Sequence, residues 1–409
     1  MREVWKPQNV SELQSAIKDA LSSQITLELR GSGSKRRLGR KVHSNVLVDL
    51  SRISGITLYE PEEMIITVRP GTPLAEIEAA LAQHNQRLAF DPPSYVALWG
   101  ASSDHGTIGG AMMTGRAGSR RLTAGGPRDH CLGVKAVNGF GEICAAGGRV
   151  VKNVTGFDIS KLVTGSFGTL CAVSELTLKT HPTPNDTVTL ALLGLDDVTA
   201  VDTMRQAMSS SCQVSAAAYL PEQITNHFAN NTLPPHISAT LLRLDGFHPT
   251  TRARAETLSN QLKSIDGHQL IPCTESRPLW MEISNAQCFS QNIEHALWHI
   301  SVPPKNGPEI IDHLRSMFKF DYYFDWAGGG IWVEIKNQSH DYSTEIRQTI
   351  RDLVGGDGHA TLMRTPHDLI DVAAPFQPLA PEIEAITRRI KSQFDPMGIF
   401  NPGRMYKGI

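Results

Sequence analysis

The chain has 409 residues, 40% hydrophobic and 20% charged, with a formal net charge of -2. That length supports two or three domains with a sizeable core, and the slight acidic balance excludes a dedicated nucleic-acid binder, which carries a basic excess. No apolar run reaches the roughly 20 residues of a membrane span, and Met1-Arg2-Glu3-Val4-Trp5-Lys6-Pro7 lacks the apolar stretch of a secretory signal, so the expected location is the cytoplasm.

In chain order, Val10 to Leu21 reads as an amphipathic helix, with Val10, Leu13, Ile17 and Leu21 at helical spacing and Ser11 near its start. Ile25 to Arg30 alternates as a strand and ends at Gly31-Ser32-Gly33-Ser34. Asn45 to Leu50 and Met64 to Arg69 are further strands, and Pro73 to His84 is a helix with proline in its first turn. Between Gly100 and Gly168 glycine is frequent, yet strands remain readable over Leu132 to Val137 and Leu170 to Leu178. Thr180-His181-Pro182-Thr183-Pro184 reads as a linker. From Asp186 to Pro375 helical and strand patterns mix with fewer glycines, as in a separate α+β domain. A helix over Pro381 to Gln393 precedes a turn-rich tail. The six cysteines form no Cys-x-x-Cys pair, which argues against an iron–sulfur cluster or structural zinc in this chain and for buried free thiols.

Chemistry concentrates in the glycine-rich stretches. A dinucleotide's pyrophosphate needs several donors close together, and backbone N–H groups supply them where side chains are absent and the chain turns sharply. Leu29-Arg30-Gly31-Ser32-Gly33-Ser34-Lys35 offers such a loop directly after a strand; a plain hairpin turn is the alternative. Gly106-Thr107-Ile108-Gly109-Gly110-Ala111, followed by Thr114-Gly115-Arg116-Ala117-Gly118-Ser119, has a density of small residues that helix-on-sheet packing explains poorly. Asn153 to Asp158 and Gly165 to Leu170 have the same character. No Gly-x-Gly-x-x-Gly sits between strand and helix with an acidic residue at the right distance, and no Gly-Lys-Ser/Thr occurs, which excludes Rossmann and P-loop readings.

In this order the segments, with Arg128-Asp129-His130, Thr155-Gly156-Phe157-Asp158 and the tail Phe394-Asp395-Pro396 … Asn401-Pro402-Gly403-Arg404, resemble the FAD-binding domain of the vanillyl-alcohol-oxidase / p-cresol-methylhydroxylase (PCMH) type. Gly147 to Gly156 and Asp325-Trp326-Ala327-Gly328-Gly329 are similar to the FAD-binding subunits of bacterial glycolate oxidases. The resemblance implies an α+β fold: a two-lobed FAD-binding domain over 1–182, an α+β cap over 183–375, and a helix and tail over 376–409 packing back near the flavin. Carried over by position, Gly31, Ser32, Gly33, Ser34 and Lys35 would hold the pyrophosphate. Thr107, Ile108, Gly109, Gly110, Thr114, Gly118 and Ser119 would line pyrophosphate and isoalloxazine. Gly156, Asp158 and Val173 would lie near the adenosine or the ring's edge. Some relatives tether the flavin through a histidine where this chain has Ser34, so the FAD is expected to be non-covalent.

The resemblance also implies oxidation of glycolate or a similar 2-hydroxy acid in a complex with a second flavin subunit and an iron–sulfur subunit, with any membrane association peripheral and through those partners. The alternatives are a flavin subunit for electron transfer and assembly, and a stand-alone FAD-linked oxidoreductase for another alcohol. Relatives that oxidise 2-hydroxy acids carry His-x-Gly-Asp-Gly-x-x-His, whose histidines bind a metal; here Val354 and Thr361 stand at those positions and no metal site is expected. His359 and Arg364 remain as weak candidates for base and carboxylate clamp; a regular strand would place them on opposite faces, and a surface arginine is the plainer reading. Trp326 and Trp332 could shield the flavin or fill a core, His105 could touch cofactor or cap a turn, and Lys35-Arg36-Arg37 could bind phosphate or stay solvated.

Overall fold

Short apolar runs in the first half build a three-stranded and a five-stranded sheet, and Gln86–Arg87 pairs with His181–Pro182 inside the stretch expected as a linker. The structure, a computed structural model, describes residues 2–101, 106–149, 156–228, 232–262, 267–336, 343–365 and 374–409, with the side chains of 343–347 set aside. Glu3–Trp5, Val46–Asp49 and Leu27–Arg30 form a parallel sheet with Val46–Asp49 in the middle. The helix Val10–Ser22 connects its first two strands in sequence and buries Leu13, Ile17 and Ala20. It starts two residues before Ser11, at Asn9, whose side chain accepts from the Glu12 amide at 2.9 Å. The second sheet is antiparallel, in the order Ile56–Glu60, Ile65–Val68, Cys171–Lys179, Cys131–Asn138, Ile143–Gly147. Helices Leu74–Ala82 and Ile108–Thr114 send Ile77, Leu81, Ile108 and Met112 into its core against Ile66, Val68 and Leu176.

The second half builds one eight-stranded antiparallel sheet from strands between Asp186 and Arg364. Its outer face is covered by helices Asp197–Met208, His248–Gln261, Gly307–Arg315 and Ser343–Val354, which bury residues such as Met204, Leu258 and Ile311. The inner face carries Leu297, His299, Tyr323 and Trp332 and looks toward the two smaller sheets. The final strand, His359–Arg364, pairs with Ala296–Ser301 and is bulged: Arg364 faces Leu297 and Leu362 faces Trp298, leaving Met363 as the extra residue. One extra residue reverses the alternation. His359, opposite Ser301, and Arg364, opposite Leu297, therefore share one face, against the expectation from a regular strand.

The C-terminal helix Pro381–Phe394 and the tail return to the first sheet. Leu27 donates to Ile399 O at 2.8 Å and Asn401 donates to Leu27 O at 2.9 Å. Lys391, buried at the helix end, donates from Nζ to Thr169 O at 2.6 Å, Asp395 Oδ2 at 2.6 Å and Phe400 O at 3.0 Å. All six cysteines are free thiols.

Candidate functional site

The strand Leu27–Arg30 runs into Gly31-Ser32-Gly33-Ser34-Lys35, which forms one wall of a groove. Thr107, Gly110, Met113 and Thr114, at the start and along the helix Ile108–Thr114, form the opposite wall. The groove continues over Pro70, Gly109, Cys171 and Val173; Phe167 and Asn401 border both stretches. Two glycines set its width. A Cβ on Gly31 would press on Thr107, 3.2 Å from Cγ2 and 3.3 Å from Cβ with Oγ1 nearer still, and a Cβ on Gly109 would lie 2.8 Å from Pro70 O. Neither has a positive φ, so both are demanded by close approach and not by backbone strain.

Donors are unevenly placed around the groove. Among the described residues, the amides of Ser32, Gly33 and Ser34 meet no protein acceptor, and consecutive unpaired amides in a glycine turn make a concavity for anions. The helix start is different: Ile108 N donates to Thr72 O, Gly109 N to Pro70 O and Gly110 N to Thr107 Oγ1. That segment shapes the wall but has already used its donors. Lys35 is buried with its ammonium turned toward Gly106, and Arg36 pairs with Glu28 at 2.8 Å. The tail braces the loop from behind. Asn401 accepts from Leu29 N at 2.8 Å and donates to Phe167 O at 2.7 Å, while Arg404 donates to Arg36 O at 2.6 Å.

Beyond the helix, Arg116 to Ser119 meet the inner face of the large sheet. Trp326 Nε1 donates to Gly118 O at 3.1 Å, and Ser119 Oγ donates to Asp325 Oδ2 at 2.8 Å. Trp326 and Ala327 have φ of 51° and 54°, an uncommon pair for residues with side chains, and this turn aims Asp325 and Trp326 at the seam. Burial pushes the Asp325 carboxyl up to about 7, against hydrogen bonds from the Trp326 amide and Ser119 that lower it. His299 stands between Trp326 and Trp332, with ring centroids 4.8 Å and 4.7 Å away. It is 3% exposed, its Nδ1 has no hydrogen-bond partner among the described residues, and burial, then Arg116 and His359, hold it well below the usual histidine range. Arg116 itself is half-buried and has no hydrogen-bond or ion-pair partner among the described residues.

The residues singled out by sequence therefore fall in three places. Gly31 to Lys35, Thr107, Gly109, Gly110, Thr114 and Val173 share the groove; Ile108 points into the core behind it. Gly118 and Ser119 lie on the seam. Gly156 and Asp158 are exposed and outside the groove, Asp158 capping the helix Ile159–Val163 and pairing with Lys161 at 2.6 Å. His359 is partly open to solvent on the seam side of the sheet, and the packing around the rest of its ring, then Arg116, lowers its pKa. Arg364 is neither surface arginine nor free clamp: it is fully buried, donates to His295 O, Leu98 O and Phe289 O, and pairs with Glu334. His105 and residues 150–155 lie outside the described residues. Sequence reasoning passed over His299 and quoted Arg116, Asp325, Asn401 and Arg404 inside motifs without giving them individual roles; a lone arginine inside a run of small residues was the signal available for Arg116.

Comparison with known proteins matches this geometry. A family described as "FAD binding domain" matches residues 2–147. The glycolate oxidase subunit GlcE of Escherichia coli is 30% identical over 95% of this chain and 95% of its own length. The chain belongs to the PCMH-type FAD-binding family, among its glycolate oxidase subunits. The glycolate oxidase subunit GlcD of Bacillus subtilis is 24% identical over 98% of this chain and 88% of its own. A p-cresol methylhydroxylase structure, 15% identical, shares the fold with a TM-score of 0.72 over 99% of this chain and 88% of that one. This family member is an FAD-linked oxidoreductase. The groove fits its cofactor: the amides of Ser32 to Ser34, without protein acceptors among the described residues, suit the diphosphate, and Gly31 and Gly109 let Thr107 and Pro70 approach more closely than any side chain would allow. Among the described residues no helix is long and apolar enough to cross a membrane, and no cluster of three or more His, Cys, Asp or Glu is placed to hold a metal.

Proposed function

We propose that this flavoprotein oxidises a small 2-hydroxy acid, glycolate first among them, to the 2-oxo acid, and passes the electrons to a second flavin subunit and an iron–sulfur subunit. Bound FAD supplies the acceptor for the substrate's C2 hydride. The loop Ser32 to Ser34 holds the diphosphate, and the tail residues Asn401 and Arg404 keep that loop in place. The carrying observation is Arg116: a guanidinium without a protein partner, at the seam where the groove meets the cap, facing a neutral His299. An unpaired cation in a half-buried site is unfavourable unless an anion completes it, and a 2-hydroxy acid brings a carboxylate. Trp326 and Trp332 flank the His299 ring, and Tyr95 packs against Trp332. The relatives GlcE and GlcD, both glycolate oxidase subunits, support the substrate class and the complex. Membrane association, on this reading, comes through the partners at the cytoplasmic face.

Val354 and Thr361, standing where metal-dependent relatives have histidines, support a second reading, in which substrate is oxidised on the partner and this chain relays electrons. Anaerobic glycolate added to the isolated FAD-loaded chain separates the two. Bleaching of the flavin band, weakened at least tenfold in Arg116→Ala, supports catalysis here; a flavin that stays yellow supports the relay.

A further inference from the structure

Residues 86–94 of the first half, and the strand Ala239–Gly246 and helix Cys273–Ser284 of the second, border a cavity of about 330 Å³ away from the cofactor groove. Arg87, Arg243 and Arg277 stand on its walls beside Pro93 and Trp280. Donors converge on it without acceptors. Arg87 Nε and Ser94 Oγ are buried and have no hydrogen-bond partner among the described residues. Arg243 is 7% exposed, its Nε lies 3.1 Å from Asp245 Oδ1, and its guanidinium covers the Trp280 ring at 5.9 Å from the centroid. That leaves Arg243 Nη1 and Nη2 without an acceptor among the described residues.

The charges around the cavity do not balance. Asp245 is shared by Arg243 at 3.1 Å and by Arg87 and Arg120 at 3.8 Å each, while Asp91 takes Arg120 Nε at 2.6 Å. Arg277 donates to neutral oxygens, Pro184 O at 2.6 Å and Thr187 Oγ1 at 3.4 Å. Four guanidinium groups therefore share two carboxylates. A third carboxylate on the wall, Glu78, is exposed on the helix Leu74–Ala82, and positive charge stays in excess with it counted. The field reaches His181, which burial, then His130, Lys179, Arg87 and Arg120 hold at about 4. Partly desolvated cations with unused donors are unfavourable until an anion completes them.

We propose that this cavity binds a small dicarboxylate, with one carboxylate on Arg87 and Arg243 and the other on Arg277. The two Nη atoms of Arg243 present the paired donors that a carboxylate accepts, and Ser94 Oγ adds a hydroxyl. The apolar walls at Pro93 and Trp280 suit a short carbon chain between the two charges. A monocarboxylate such as glycolate brings one charge and leaves Arg277 unmatched, which sets this cavity apart from the substrate position at Arg116. The site does not depend on which subunit oxidises the 2-hydroxy acid. Because its walls come from both halves of the chain, a bound dicarboxylate ties them together.

Calorimetric titration of the FAD-loaded full chain with malonate and succinate, against acetate and inorganic phosphate at matched ionic strength, tests this directly. One dicarboxylate should bind per chain, roughly tenfold or more tighter than acetate, and raise the melting temperature. In NMR spectra the His181 ring should titrate at a higher pH once the arginine field is neutralised. Arg243→Gln should weaken malonate binding by roughly tenfold or more, and Arg277→Gln, at an exposed position, should weaken it several-fold. The second variant decides the matter should the first fold poorly. Arg116→Ala should bind malonate as the wild type does, so failure of the substrate reading and failure of this one are separable. Absence of saturable binding, equal affinity for acetate, phosphate binding tighter than either dicarboxylate, or binding lost in Arg116→Ala but kept in Arg243→Gln and Arg277→Gln overturns the proposal.

Discussion

Gly31→Ala is the sharpest perturbation of the groove. The added methyl would face Thr107, with Cγ2 at 3.2 Å and Cβ at 3.3 Å. Thr107 cannot retreat freely, because it caps the helix Ile108–Thr114 through Oγ1 and the Gly110 amide at 3.3 Å. Crowding of this kind costs about 1–3 kcal/mol, and loss of such a cap about 1 kcal/mol. The wall that must give lines the groove proposed to hold the cofactor. We therefore predict FAD binding weaker by roughly 5- to 150-fold, from about 1–3 kcal/mol at 1.4 kcal/mol per tenfold. Titration of deflavinated protein, followed by quenching of flavin fluorescence, reads this directly. Thr107→Ala removes Oγ1 and Cγ2 and leaves Cβ, so the double variant should lose less than the two singles added together. Gly31→Ala binding FAD within twofold of wild type, or strict additivity in the double variant, would refute the reasoning.

Arg364→Met should destabilise the protein by about 3–5 kcal/mol, because Glu334 is left buried without its partner. The thermal melt should drop by on the order of 10 °C with the KM for glycolate unchanged; a raised KM at unchanged melting temperature would make Arg364 a substrate ligand after all. His299 and His181 are both held below the ordinary value of 6.5, each chiefly by burial, His181 at about 4. The unfolded chain then takes up protons that the folded one refuses, so stability is highest above pH 6.5 and falls as pH drops from there toward the folded values. The melting temperature should decline from pH 7 to 5, and His299→Phe should flatten part of that slope; a melt insensitive to pH in both proteins contradicts the assignment. With Ser34 in place of a tethering histidine, acid precipitation should leave a colourless pellet and a yellow supernatant, and a yellow pellet would show a covalent bond.

The elements that carry one clear periodicity were legible in the sequence. Val10–Ser22, Cys131–Asn138, Cys171–Lys179 and Pro381–Phe394 lie within one or two residues of their expected bounds. Gly31 and Gly109 announce close approach by lacking side chains, and the structure brings both to one groove. What escaped was tertiary. Ser119, expected to line the cofactor, donates to Asp325 at a strand end 206 residues away in sequence, 2.8 Å off. Asn401 and Arg404 read as turn residues, but they reach back across the whole chain to hold the loop at Leu29 and Arg36. The shared face of His359 and Arg364 depends on a bulge at Met363, which no local pattern announces because the register is set by the neighbouring strand. His299, alone in an apolar strand, gave no sign that its ring would sit between two tryptophans facing Arg116.

Uptake of FAD by the deflavinated chain tests the groove most directly. One equivalent should bind per chain and raise the melting temperature, and Gly31→Ala should need more FAD to reach the same occupancy. Protein that remains colourless and melts at the same temperature with and without saturating FAD would contradict the account at its root.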